Sequence, residues 1–147
     1  MTPRRATPED LPETLALIQS AFAFMDRRID PPSSMHRLTI DDLAESDVWV
    51  IGAPPLACIV LTPKADALYL GKLAVASSER GKGHARTLID QAETRARELG
   101  LSALELQTRI ELTENQRTFE AMGFTELART AHEGYNRPTS ITYRRPL

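Results

Sequence analysis

An internal disulfide is excluded, because the only cysteine of this chain is Cys58. The apolar neighbours Leu56, Ala57, Ile59, Val60 and Leu61 mark that thiol as a small buried hydrophobe. Histidine is equally sparse. His36, His84 and His132 are scattered and lack Cys or acid neighbours at ligand spacing, so no metal site is expected. Nowhere do the roughly 18 apolar residues of a membrane span run together, and the Met1-Thr-Pro-Arg-Arg start lacks the apolar stretch of a secretory signal. These absences lead to the expectation of a cytoplasmic protein without a membrane partner. Charge of one sign is also missing: 18 basic and 20 acidic residues give a net charge of -2 with no block of either sign, so a nucleic-acid partner is not expected. No Gly-x-Ser-x-Gly elbow or Ser-His-Asp order supports an acyl-enzyme formed on serine.

What is present describes one domain, 1–147. The length suffices to bury a core, and 41% hydrophobic with 26% charged residues excludes a disordered or fibrous class. Pro3 to Ala6 reads as an edge strand. Thr7-Pro8-Glu9-Asp10 then opens a helix whose apolar face, Leu11, Leu15, Ile18 and Phe22, runs to about Ala23. After Pro31-Pro32, Ser33 or Ser34 is expected to cap a second helix through about Ala44. Val48 to Ile51 and Leu56 to Leu61 form a hairpin about Gly52-Ala-Pro-Pro, and Ala67 to Val75 is a further strand. Helical spacing from Ala85 to Leu99 ends at Gly100, a strand covers Ser102 to Gln107, and a short helix runs from Glu114 to Met122. For that helix Thr113 and Gln116 have capping-box spacing. Phe124 to Thr130 and Thr139 to Arg144 complete the order as antiparallel strands, so the class is mixed α/β with a largely antiparallel first half.

The chemistry concentrates in Leu73-Ala-Val-Ala-Ser-Ser-Glu-Arg-Gly-Lys-Gly-His-Ala-Arg-Thr-Leu88, a strand that feeds a glycine-bearing turn and then a helix. Unpaired N–H groups and a helix dipole make such a turn an anion site, and Gly81 and Gly83 let the backbone approach phosphate closely. A Walker loop fails because Gly83, not Ser or Thr, follows Lys82. A dinucleotide fingerprint fails because Arg86 stands where its third glycine belongs. The stretch resembles instead the signature of the GCN5-related N-acetyltransferase family, Arg/Gln-x-x-Gly-x-Gly/Ala, met by Arg80, Gly83 and Ala85. Asn115 to Phe124, ending in Gly-Phe, resembles that family's second block, so the likeness covers roughly Ala67 to Phe124.

The resemblance implies a GNAT-type fold, a mixed and mostly antiparallel central sheet flanked by helices, with acetyl-CoA as co-substrate and no metal. It implies that backbone amides of Gly81 through Arg86 (Gly81, Lys82, Gly83, His84, Ala85 and Arg86) bind the pyrophosphate, with the side chain of Arg80 beside them. The main chain of Leu73 and Val75 pairs with the pantetheine arm, the Val75 N–H polarises the thioester carbonyl, and Asn115 and Phe119 lie near the coenzyme. The acceptor, an amine of a small molecule or peptide, is then bordered by Phe22, Phe24, Met25, Asp26, Arg27, Arg28 and Asp30, with Tyr135 opposite. Glu111 and Glu114 are the candidates for general base or amine holder. The family's usual acid, a Tyr four residues before the Gly of Gly-Phe, is replaced here by Phe119, and Tyr135 is the candidate substitute. Two alternatives stay open: acetylation of a protein N-terminus or lysine, and a catalytically weak CoA-binding regulatory module. A homodimer is also left open.

Overall fold

The computed structural model describes residues 1–147. Strands β1 (Arg4–Arg5), β2 (Asp47–Ile51), β3 (Ala57–Pro63), β4 (Ala67–Val75), β5 (Ala103–Arg109), β6 (Thr125–Thr130) and β7 (Ser140–Pro146) form one sheet in the order β1-β2-β3-β4-β5-β7-β6. Only the central β4–β5 pair is parallel. The helices are α1 (Leu11–Asp26), α2 (Ile40–Ala44), α3 (His84–Glu98) and α4 (Thr113–Ala121). None is long and apolar enough to cross a membrane.

The two faces of the sheet carry separate cores. Leu88, Ile89, Ala92 and Ala96 of α3 pack with Ala57, Ile59 and Leu61 of β3, while Leu11 and Ile18 of α1 and Leu43 of α2 pack with Cys58 and Val60. A strand covered on both faces has no polar side to display, which explains the unbroken apolar run Ala57 to Leu61. Burial pushes the Cys58 thiol up to about 12, consistent with its inert role in that core.

A bulge in β4 sets the orientation of the strand's second half. Cys58 pairs with Ala74 and Val60 with Gly71, so Ile59 stands opposite two residues, Lys72 and Leu73, and Lys72 has a positive φ of 52°. The extra residue reverses the parity of the strand. Leu68 and Leu70 face the α3 core before the bulge; after it Leu73 and Val75 do, and Ala74 turns to α1.

Three local expectations are corrected. The segment after Pro32 is not one helix: a 3-10 turn at Met35–Arg37 is separated from α2, whose cap is Thr39, its hydroxyl accepting the Asp42 N–H at 3.1 Å. Leu38 between them is extended and breaks the helical ladder. Thr113 and Gln116 form no capping box, because the Gln116 amide instead donates to the carbonyls of Ile110 at 2.9 Å and Arg109 at 3.3 Å. The first helix begins as a 3-10 turn at Pro8–Asp10 and continues to Asp26, three residues past Ala23.

Asp10 ties the N-terminal strand to α1. Its carboxylate accepts from Arg4 at 2.7 and 2.9 Å and from the Thr7 N–H at 2.8 Å, and Arg4 also donates to the Gly52 carbonyl at 3.0 Å. Arg4 holds this carboxyl well below the usual carboxylate range. A depressed folded-state pKa contributes stability above the unfolded value near ~4 and loses it as the pH falls from there. Asp10→Asn is therefore expected to lower stability at pH 7 by at least about 1 kcal/mol. It should also flatten the loss between about pH 4 and pH 2 in denaturant titrations; an unchanged acid limb would remove Asp10 from that account.

Candidate active site

The β4–β5 ladder joins only Ala67 to Tyr69 with Ala103 to Glu105. Beyond it the ladder ends, and no residue from Gly71 to Val75 has a partner on β5. From the end of β4 the chain runs through residues 76–83 into the N-terminus of α3. Gly81 and Gly83 have φ of +79° and +85°, values that side-chain-bearing residues rarely adopt, and a Cβ at either would meet no atom within 4 Å. From Gly81 through Arg86 no main-chain N–H has an acceptor within the chain; the first one engaged is that of Thr87, on the Gly83 carbonyl at 3.1 Å. A row of free donors on the positive end of a fifteen-residue helix suits a phosphate or another anion.

The side chains of the loop divide into two groups. Glu79 accepts from Lys82 at 2.9 Å and lies 3.0 Å from His84 Nε2, and His84 and Lys82 together lower its pKa. The charge of Lys82 is thus largely matched within the loop. Arg80 stands over the ring of Phe24 at 5.5 Å, and Arg86 is exposed. Sequence reading missed Glu79, although an acid three residues before Lys82 and five before His84 is a legible pairing. On α4, Phe119 is half-buried with its ring edge-on to Phe124 at 6.1 Å, and Asn115 is half-buried in the first turn.

A second cluster gathers where β5 ends. Asp30 is its hub, its carboxylate accepting from the Tyr135 hydroxyl at 2.6 Å and from Arg137 at 3.1 Å. The Asp30 N–H donates to Glu111 Oε2 at 3.1 Å, while Glu111 Oε1 is buried without any hydrogen-bond partner. Arg109 donates to the carbonyls of Pro31 and Pro32, and burial lowers its pKa against the opposing charges of Glu111 and Asp26. Asp30 raises the pKa of Tyr135, which keeps the phenol protonated. Burial and Arg109 lower that of His132, leaving its ring neutral at pH 7.

Glu114, the other carboxylate suggested by the sequence, is gripped by Arg28 through both oxygens, and this pairing pulls its pKa to about 2. Such a carboxylate is a poor base. The structure therefore brings Asp30, Glu111 and Tyr135 together, adds Arg109, and commits Glu114 elsewhere. Arg109 carried no sequence signal, since a lone cation ending a strand is commonplace. An orphaned buried carboxylate oxygen is the costly feature here, worth about 1–3 kcal/mol if nothing meets it. It can accept a proton or hold an ammonium.

The sequence profile described as Acetyltransferase (GNAT) family matches residues 13–124. No curated protein sequence matches at a significant level. Among solved structures, an acetyltransferase of the GNAT family from Staphylococcus aureus Mu50 superposes with a TM-score of 0.78 at 15% identity, covering 99% of this chain and 98% of that one. The ribosomal-protein-S18-alanine N-acetyltransferase from Escherichia coli gives 0.69 at 18% identity, with 99% and 92% covered. The NatC complex bound to Gag peptide and CoA gives 0.68 at 23% identity, with 100% and 99% covered. At these identities the likeness is one of fold.

Proposed function

Since this chain belongs to the acetyltransferase (GNAT) family, we propose that it moves an acetyl group from acetyl-CoA directly to an amine of a small molecule or peptide. The observation that carries this reading is the row of free N–H groups from Gly81 through Arg86, following a β4 whose second half has no partner on β5. When bound, the coenzyme supplies an acyl carbonyl activated as a thioester. The free amides hold its pyrophosphate, with Arg80 and Arg86 adding charge and Glu79 restraining Lys82 and His84. The main chain of Leu73 and Val75, without a partner on β5, orients the arm as an added strand, and the Val75 N–H polarises the carbonyl. Asn115 and Phe119 complete the coenzyme set. A structure of the same fold bound to a peptide and CoA supports both the donor and the inclusion of peptides among acceptors.

On the acceptor side Glu111 takes the proton of the attacking amine through its free Oε1. The N–C bond forms as the C–S bond breaks, and the thiolate receives a proton. Phe119 has no proton to give. Tyr135 is the proposed donor: it is protonated at neutral pH, and its bond to Asp30 must open for the transfer. Phe119→Tyr is expected to leave kcat unchanged or raise it. Tyr135→Phe should lower kcat by at least about tenfold with CoA binding intact; an effect on acceptor KM alone would give Tyr135 a positioning role and leave solvent as the proton source.

The reaction itself is tested by a broad amine screen that follows free thiol release alongside the mass of the acylated product. Release in step with one acylated amine is expected. Tight CoA binding without turnover on any amine would make the protein a coenzyme-binding module.

A further inference from the structure

A cavity of about 230 Å³ lies between the last turns of α1 and the segment Ser33 to His36. It is smaller than the ~300–1,000 Å³ that hold a whole small-molecule ligand, and suits one end of such a molecule. Its wall is rich in acceptors. The Ser33 hydroxyl is buried with no partner, and Asp26 uses Oδ1 for the Ser33 N–H at 2.8 Å while Oδ2 makes no hydrogen bond or ion pair. Gln19 spends its amide N–H groups on the carbonyls of Met35 and Leu38, at 3.4 Å each, so its carbonyl oxygen is the part left over. His36 is the one basic side chain on the wall, with no Lys or Arg, and Phe22 and Met35 supply an apolar flank. The open Asp26 oxygen suits a donor-bearing group, best a positive one on an alkyl stem.

The cavity adjoins the cluster around Glu111. Arg109 grips Pro31 and Pro32, the residues directly before Ser33, and the Asp30 N–H holds Glu111 itself. Across both regions Asp26, Asp30, Glu111 and Glu114 face Arg28, Arg109, Arg117 and Arg137, so the two signs balance and the draw for a cation is local to the open Asp26 oxygen.

We propose that this cavity recognises the non-reacting end of the acceptor, and that the acceptor class is a small dibasic amine with its second ammonium between Asp26 and Ser33. The proposal rests on the acyl-transfer reading for the identity of the reacting end. The probes are pentane-1,5-diamine and pentylamine, titrated calorimetrically into CoA-saturated protein. The diamine should bind at least about tenfold more tightly. Asp26→Asn retains an oxygen for the Ser33 N–H but removes the charge, and should reduce the diamine to the affinity of the monoamine with CoA affinity unchanged. Ser33→Ala should weaken the diamine several-fold. Equal affinities in the unsubstituted protein, including no detectable heat from either amine, overturn the proposal, as does a preference that survives Asp26→Asn. A diamine preference without thiol release from acetyl-CoA would keep the cavity's assignment and remove the transfer reading, so the two failures are distinct.

Discussion

Gly83→Asp is expected to abolish stabilisation by CoA. A ligand that binds only the folded state at a hundred times its Kd contributes about 2.7 kcal/mol, and in a domain of this size that raises Tm by roughly 5–10 °C. The substitution sets a carboxylate at the N-cap of α3, beside amides that have no other acceptor. Two unit charges about 4 Å apart repel by about 1–4 kcal/mol between the bulk-water and surface limits, and a pyrophosphate carries more than one, so CoA affinity should fall at least about a hundredfold. Loss of the helix is not the expected cause. The positive φ of Gly83 strains any side-chain-bearing residue, but aspartate tolerates left-handed backbone better than most, a Cβ there meets open space, and Gly83→Asn carries the same strain. Gly83→Asn has nearly the same shape without the charge and should keep most of the affinity. Normal CoA binding by a folded aspartate variant would remove the pyrophosphate from this loop.

The second large effect is expected at Glu111. Glu111→Gln keeps an oxygen for the Asp30 N–H but has no site for the amine proton, so kcat should fall by about a hundredfold to ten-thousandfold with CoA binding unchanged. A residue that merely anchors the loop at Asp30 would behave otherwise. Its glutamine variant would lower Tm or raise the acceptor KM while kcat stayed within a few-fold, and that outcome would return the search for a base to the rest of the cluster.

Features visible in the sequence were those with local causes. The bounds Ala67 to Val75 of β4 follow from its apolar run, and α3 from its spacing and its glycine entry and exit. The anion loop was legible because glycine identity and a helix start are both local. The bulge at Lys72 was not, since nothing in a lysine announces a positive φ; the constraint comes from pairing with β3. The acceptor cluster was legible only as a pool of charges. Asp30, Glu111 and Tyr135 meet from three separate segments, and which carboxylate is left unpartnered depends on Arg28 choosing Glu114. The cap of α2 went to Thr39 over the serines because Pro31-Pro32 and an extended Leu38 delay the helix, a competition that residue preference alone does not decide.

The central claim is that the backbone at the start of α3 holds the coenzyme's pyrophosphate within an acyl-transfer site. Amide chemical shifts test it atom by atom, because a phosphate accepting from a free N–H moves that resonance strongly. Titration with CoA should shift the amides of Gly81 through Arg86 in one saturable step, and titration with pantetheine, which lacks the pyrophosphate, should leave them nearly still while moving Leu73 and Val75. Saturating CoA that leaves Gly81 through Arg86 unmoved would contradict the account.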